Sequence, residues 1–346
     1  MKIKLNRYVI RVLIAIFVAV VVLCAVLHLV RAWDHNRYSP VISEGSVKSS
    51  DLYEDEDEAL TYINGKWYTA RDNIETILLL GLDKFEESVL ADVFEYSNHQ
   101  QADFILLLIL DHANKTYTTL QVNRDSMAEI PIFGVDGKPA GTKTAQLALA
   151  HTYGSGKSDS CKNTALAVSG YLYGVNIDHY ISLTMDAVAM VNDLVGGVPV
   201  SVLDDLTPVD PALVKDVTVT LTGSQALTYV RARGGLEDSS NLRRMDRQRQ
   251  YLHALHQQIE AKMTESDDFL IDAIFDISQY LVSDCTANQL SSIGDFVLDY
   301  NDKGIQTIEG EAVKGDEYME FYADEEALKN QVLTLFYTEA EDPPAF

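Results

Sequence analysis

Two stretches constrain the fold of this chain more than any others: "IETILLLGLD", from Ile74 to Asp83, and "DFILLLILD", from Asp103 to Asp111. A strand with one wet face alternates polar and apolar residues. A strand apolar on both sides must be covered on both. These stretches therefore predict central strands of a sheet with helices on each face. "TYTTLQVNRD", from Thr116 to Asp125, has β-branched alternation and reads as a third strand. "HANK" joins the second strand to the third by a tight turn, which makes them antiparallel. If the first strand runs parallel to the third, Asp83, Asp103 and the pair Arg124–Asp125 meet at one rim.

Beyond the third strand, "TKTAQLALAHTYG" and "SCKNTALAVSGYLYG" have helical spacing and end in glycine. "DHYISL" and "VPVSVL" read as strands, and "TMDAVAMVNDLVGG" as a helix closed by Gly196 and Gly197. "TGSQALTYVRARGG" is a helix with Thr222 as its cap, and "NLRRMDRQRQYLHALHQQIEAKM" a long one. More helix follows, then a strand at "GIQTIEG", a hairpin at "EYMEFYAD" and a last helix at "EEALKNQVLTLFY". The expectation is an α/β fold, a mixed central sheet sandwiched between helices.

The N-terminus is different. "YVIRVLIAIFVAVVVLCAVLHLV" spans Tyr8 to Val30, and its unbroken part from Val12 is long enough to cross a bilayer. Lys2, Lys4, Arg7 and Arg11 precede it, with no acidic residue before Asp34. The positive-inside rule then predicts residues 1–11 as a cytoplasmic tail, 12–30 as a single transmembrane anchor, and the rest outside. No A-x-A pattern follows the run, which argues against a cleaved signal peptide. Residues 31–72 are polar and then strongly acidic, and read as a stalk. Residues 73–262 form the expected main domain, and 263–346 an extension packed on it. Cys161 and Cys285 fall outside the membrane, where a disulfide persists. We expect them to pair, closing a loop that stabilises by about 4–5 kcal/mol on the chain-entropy model; two free buried thiols are the alternative.

The formal net charge is −25. Residues 1–31 carry five basic and no acidic groups, so the remainder holds 22 basic against 52 acidic, a net of −30. Such a surface repels nucleic acid, and an anionic ligand needs a local basic pocket. "RARGGLEDSSNLRRMDRQRQ", from Arg231 to Gln250, holds six of the twelve arginines. On its helix, Met245, Leu252, Leu255 and Ile259 form the apolar stripe. Arg244, Gln248 and Tyr251 lie on or beside it, with Arg247 close by. Arg244 and Arg247 are thus expected to meet an anion, whereas Arg243 and Arg249 are expected to be solvated and Arg249 to point away. Arg231 and Arg233 stand two apart where Gly234 and Gly235 end a helix. Fraying there would let both turn to one ligand, and a guanidinium fork suits paired phosphate oxygens.

These pieces, in order with "LQVNRDSMAEIP", "LTGSQALTYVRAR" and "RMDRQRQYL", resemble the LytR–CpsA–Psr family of cell-envelope proteins over about residues 73–262. The resemblance implies an extracytoplasmic phosphotransferase that uses Mg2+. It would move a glycopolymer from an undecaprenyl-pyrophosphate carrier to peptidoglycan. It implies Asp83 and Asp103 as metal-associated aspartates, and Arg124 as a catalytic arginine with Asp125 orienting it. Arg231 and Arg233, then Arg244, Arg247 and Gln248, match its pyrophosphate-binding motifs. Departures are Lys84 where arginine is common, Gln101 in "QAD", and "KTA" at Lys143 in place of "KIN". Glu237 and Asp238 are the nearest candidates for a base. Two other functions are open: a transcriptional attenuator, disfavoured by the charge, and a non-catalytic binder of polyprenyl pyrophosphate or wall polymer. "YGSGKS" is an incomplete P-loop, with His151 five residues before Gly156, and His253 with His256 reads as exposed polar positions. The polymer and the oligomeric state are not legible.

Overall fold

The computed structural model describes residues 60–63, 66–82, 100–133, 139–154, 156–232, 241–266, 268–316 and 318–340. The expected tail and anchor, most of the stalk, and Asp83, Lys84, Arg233, Glu237 and Asp238 lie outside these residues. Among the described residues no helix is long and apolar enough to cross a membrane.

The first strands are β1 (Leu60–Ile63), β2 (Lys66–Ala70), β3 (Ile74–Leu82), β4 (Ala102–Asp111) and β5 (Thr116–Val122). β3 pairs antiparallel with β4, from Ile74 opposite Asp111 to Leu82 opposite Ala102. β4 pairs antiparallel with β5, from Asp111 opposite Thr116 to Ile105 opposite Val122. β3 and β5 consequently run parallel. The end of β3, the start of β4 and the end of β5 share one rim.

β6 (Met127–Phe133) and β7 (Pro139–Gln146) make a hairpin, followed by a 3-10 turn at Leu147–Tyr153. This corrects the helix expected from Thr142. The β-branched Thr142 and Thr144 both donate side-chain hydrogen bonds to the Glu129 carboxylate across the hairpin, and cross-strand pairing of this kind overrides the helical spacing. Then come α1 (Lys157–Tyr171), β8 (His179–Thr184), α2 (Met185–Leu194), β9 (Val198–Ser201), β10 (Thr218–Leu221), α3 (Gly223–Arg231) and α4 (Leu242–Glu265). The chain continues as α5 (Phe269–Ile277), β11 (Leu281–Ser283), α6 (Ala287–Asp299), β12 (Asn301–Thr307), β13 (Gly310–Lys314), β14 (Met319–Ala323), α7 (Glu325–Phe336) and β15 (Tyr337–Glu339).

Among the described residues the main sheet has six strands in the order β11-β8-β3-β4-β5-β12. β8 lies parallel to β3 and β12 parallel to β5, while β11 is antiparallel to β8. The sheet is mixed, as its sequence implies. The boundary expected at residue 262 does not hold, because both edge strands come from beyond it. The stalk is likewise shorter than expected: β1 and β2 form a second sheet with β15. Edge strands leave unpaired backbone groups, and distant segments satisfy them here.

Side chains alternate between the two faces of the main sheet. Leu78, Leu80, Ile105, Leu107 and Leu120 pack with Val168 of α1 and Val332 of α7. Ile77, Leu108 and Tyr117 pack with Ile293 of α6 on the other face. Each fully buried Leu or Ile contributes about 1.5–3 kcal/mol. A further cluster joins α3, α4 and β9 through Val200, Ala226, Tyr229 and Tyr251. The expected Cys161–Cys285 disulfide is not formed; both thiols are free. Cys161, on α1, is sealed in the core beside His151, whereas Cys285 sits on the turn after β11 with its N–H on Ser283 Oγ.

Candidate functional site

The rim where β3, β4 and β5 meet opens into a cleft of about 390 Å3. Its lining comes from five places: Gln101 and Asp103 at the start of β4, Arg124 after β5, Met185 at the start of α2, Val230 and Arg231 at the end of α3, and Arg244 and Gln248 on α4. Among the described residues, three guanidinium groups thus face one carboxylate in a strongly anionic chain. The first residue of α2 also lines the cleft, and a helix N-terminus favours an anion.

Local sequence explains how each group arrives. α3 starts at a capping box, in which Thr222 and Gln225 bond each other's backbone. Gly223 lets it approach α2 closely: a Cβ there would stand 2.5 Å from the Ala189 carbonyl oxygen. This contact aims the C-terminal Arg231 at the cleft. The start of α4 is tied to the sheet by Asn241, whose Nδ2 donates to Asn123 Oδ1 at 2.9 Å.

Arg124 is buried and held on three sides. It pairs with the Asp103 carboxylate, its Nε lies 3.2 Å from Asp125 Oδ1, and its Nη2 donates to Gln101 Oε1 at 2.7 Å. Asp125 also accepts from Gln146 Nε2 at 3.1 Å, so the orienting carboxylate is itself fixed. Arg244 is buried on α4 and its Nη2 reaches the Asp103 carbonyl at 3.3 Å. Gln248 accepts from Gln121 Nε2 at 3.0 Å and donates to the Val230 carbonyl at 3.2 Å, joining sheet, α3 and α4 behind the cleft.

Arg247 departs from expectation. It is fully buried but outside the cleft lining. It pairs with Asp204, its Nε donates to the Tyr229 carbonyl at 2.8 Å, and its Nη2 donates to the Ala232 carbonyl. Its charge anchors the C-terminal end of α3. Arg243, expected in solvent, shares the same Asp204. Burial by itself would raise the Asp204 carboxyl, but the hydrogen bonds and charges of Arg243 and Arg247 outweigh it and hold the group below the ordinary carboxylate value. Arg249 does not simply point away: it meets Asp246 and donates to Gln121 Oε1 at 3.2 Å.

Lys143 is exposed on β7, away from the cleft lining. His256 lies 3.3 Å from Glu260, and His253 bonds Gln257. The segment before Gly156 is a 3-10 turn, without the strand a P-loop requires. His151 there is fully buried; burial lowers its pKa to about 4 against the opposing hydrogen bond to the Gln100 carbonyl, so it is neutral near pH 7. Residues that sequence reasoning missed are Asp204, Gln121, Asn123, Asn241, Met185 and Val230. Only the proximity of "QVNRD" to a strand end hinted at Asn123. As to a divalent cation, Asp103 brings one carboxylate to the cleft, and Leu82, which precedes Asp83, pairs with Ala102 at the same rim. The Asp103 carboxylate, paired with Arg124, is a hard oxygen donor of the kind that suits Mg2+.

The LytR_cpsA_psr family model matches residues 40–335. The chain is 30% identical over 161 residues to the polyisoprenyl-teichoic acid–peptidoglycan teichoic acid transferase TagV of Bacillus subtilis, covering 45% of this chain and 38% of that one. It is 27% identical over 184 residues to the enzyme of the same description, TagU, of Halalkalibacterium halodurans, covering 53% and 52%. These alignments span about half the length of the relatives or less. The crystal structure of B. subtilis TagV superposes with a TM-score of 0.57 at 23% identity, covering 77% of this chain and 96% of that one, which shows a shared fold.

Proposed function

The chain belongs to the LytR_cpsA_psr family, and from that premise we propose that it is a membrane-anchored, extracytoplasmic phosphotransferase. Its substrate is a glycopolymer on an undecaprenyl-pyrophosphate carrier, teichoic acid by the names of its relatives, and its acceptor is peptidoglycan. The observation that carries this reading is the convergence of Arg124, Arg231 and Arg244 with Asp103 on one cleft. The N-terminal run from Val12 to Val30 is the anchor in this reading, with residues 1–11 in the cytoplasm and the folded part outside.

Three planar forks around one small volume match the paired oxygens of a pyrophosphate. An acceptor hydroxyl oxygen attacks the phosphorus that carries the glycan, and its proton passes to a carboxylate base, for which Glu237 and Asp238 are the nearest candidates in the sequence. The bond from that phosphorus to the bridging oxygen breaks, and undecaprenyl phosphate leaves. Charge grows on the bridging oxygen, where Arg231 and Arg244 stabilise it without reorganising. Arg124, locked by Asp125 and Gln101, orients the transferred phosphate. Met185 and Val230 keep that side of the cleft apolar and exclude water. Asp103 and Asp83 would hold Mg2+ in this reading, and the ion would supply charge neutralisation to the phosphate oxygens. Lys84 and Arg233 are further phosphate contacts in this reading.

The test is transfer of labelled teichoic acid from its lipid carrier to peptidoglycan by the full-length protein in detergent, with and without Mg2+. Arg244→Ala removes a charge-assisted hydrogen bond of about 1.5–3 kcal/mol and is expected to slow transfer about tenfold to a hundredfold. Lys143→Ala makes the same charge change away from the cleft and is expected to leave the rate near wild type. Equal losses in both variants, or binding of the lipid without Mg2+-dependent turnover, would remove the catalytic reading.

A further inference from the structure

A second cluster of ligating side chains lies at the opposite end of the main sheet. His179 opens β8, and Thr184 closes it at the cleft rim, so the strand separates the two places by about 17 Å. β11 pairs with β8 through Ser283 opposite Ile181. Continuing that register brings Asp284 and Cys285 beside Tyr180 and His179. One ligand atom each from His179, Asp284 and Cys285 lies within 4.8 Å of the others.

The spacing of the three ligand atoms is that of a metal site. His179 Nδ1 is buried and makes no hydrogen bond. It stands 3.5 Å from Asp284 Oδ1, which in turn stands 3.9 Å from Cys285 Sγ. A tetrahedral ion with bonds of about 2.0–2.3 Å holds its ligands about 3.3–3.8 Å apart. The supporting groups are in place as well. His179 Nε2 lies 3.5 Å from Gln289 Nε2 and 3.9 Å from Glu75 Oε1, a carboxylate within a small shift of the hydrogen bond that orients a ligating imidazole. Glu75 Oε2 is held by His112 Nε2 at 3.0 Å, and His112 Nδ1 meets Tyr300 Oη at 3.1 Å. Asp284 Oδ1 accepts from the Tyr180 N–H at 3.0 Å, and Ser283 Oγ ties the Cys285 N–H to the Tyr180 carbonyl. The ligands therefore rest on paired strands and a closed turn.

We propose that His179, Asp284 and Cys285 form a zinc site that fastens β11 to the sheet, with Glu75 holding the imidazole from behind. One nitrogen, one oxygen and one sulfur donor suit Zn2+ and disfavour Mg2+ or Ca2+. Three protein ligands leave a fourth position for water. Binding releases the thiol proton, so affinity rises with pH.

Full-length protein in detergent is stripped with a chelator and titrated with Zn2+ in excess Mg2+, which occupies any carboxylate site at the cleft. We expect one Zn2+ retained per chain and a higher Tm. Co2+ as a probe is expected to give a near-ultraviolet sulfur-to-cobalt charge-transfer band. Cys285→Ser should abolish the band, Cys161→Ser should leave it, and Glu75→Gln should weaken Zn2+ binding about tenfold to a hundredfold. A wild-type protein without the band overturns the proposal, whatever the variants do. So does a band that survives Cys285→Ser, or a Cys161–Cys285 disulfide in protein isolated without reductant. None of these outcomes bears on transfer at the cleft, which is measured separately.

Discussion

Asp204 holds two arginines, and one of them, Arg247, has no exposed side-chain surface. A buried cation left alone is far more costly than a buried pair is stabilising. Asp204→Asn is accordingly expected to destabilise the protein by roughly 3–5 kcal/mol near pH 7, measured by urea unfolding. The folded carboxyl titrates below its ordinary value, so its contribution is present above that value and is lost as pH falls through the folded one. The gap in stability between wild type and Asp204→Asn should therefore close as pH drops below about 4. A gap that persists in acid would mean the carboxylate is not what holds Arg247. The sequence placed Arg244 and Arg247 together because both lie near one helical stripe. It could not show that the carboxylate assigned to Arg247 comes from a loop 43 residues earlier.

At the level of elements, α3 decides where Arg231 stands. Gly223→Ala improves helix propensity by about 1 kcal/mol but forces a Cβ against the backbone of α2, at about 1–3 kcal/mol. The backbone of Ala189 cannot rotate away as a side chain would, so the loss outweighs the gain. We expect a lower Tm and a slower transfer rate through a misplaced Arg231. A faster or unchanged rate would show that α3 does not position it. Much at this scale was legible. The leucine runs predicted β3 and β4, the Thr222 cap predicted α3, and the tight turn after Asp111 gave the antiparallel pair. The β6–β7 hairpin was not, because Thr142–Gln146 is followed at helical spacing by Leu147, Leu149 and Ala150. Only the partner strand, with Glu129 opposite Thr144 and bonded to both threonines, distinguishes the two.

Across the whole molecule, the sheet is completed by chain that looked like an appendix. β11 and β12 cover the open sides of β8 and β5, and β15 covers β2. Deleting residues 263–346 should leave unpaired edges on both sides of the sheet and remove the α7 contacts with Leu107 and its neighbours. The truncated protein is expected to aggregate or to lose its cooperative thermal transition. A soluble, cooperatively melting fragment would restore the boundary at residue 262. That boundary was misread because short edge strands such as Leu281–Ser283 carry little periodicity, and their identity depends on what they pair with.

The far-flung edges also set an order of events during synthesis. β3, β4 and β5 are complete by residue 122, and β8 by residue 184, while their last partners arrive only at residues 281–283 and 301–307. A sheet of β8, β3, β4 and β5 assembled before those partners emerge would hold both margins open to any passing strand. Folding that depends on contacts so distant in the chain is slow. A nascent molecule of this kind needs either a holding chaperone or a delay of sheet assembly until nearly the last residue has emerged.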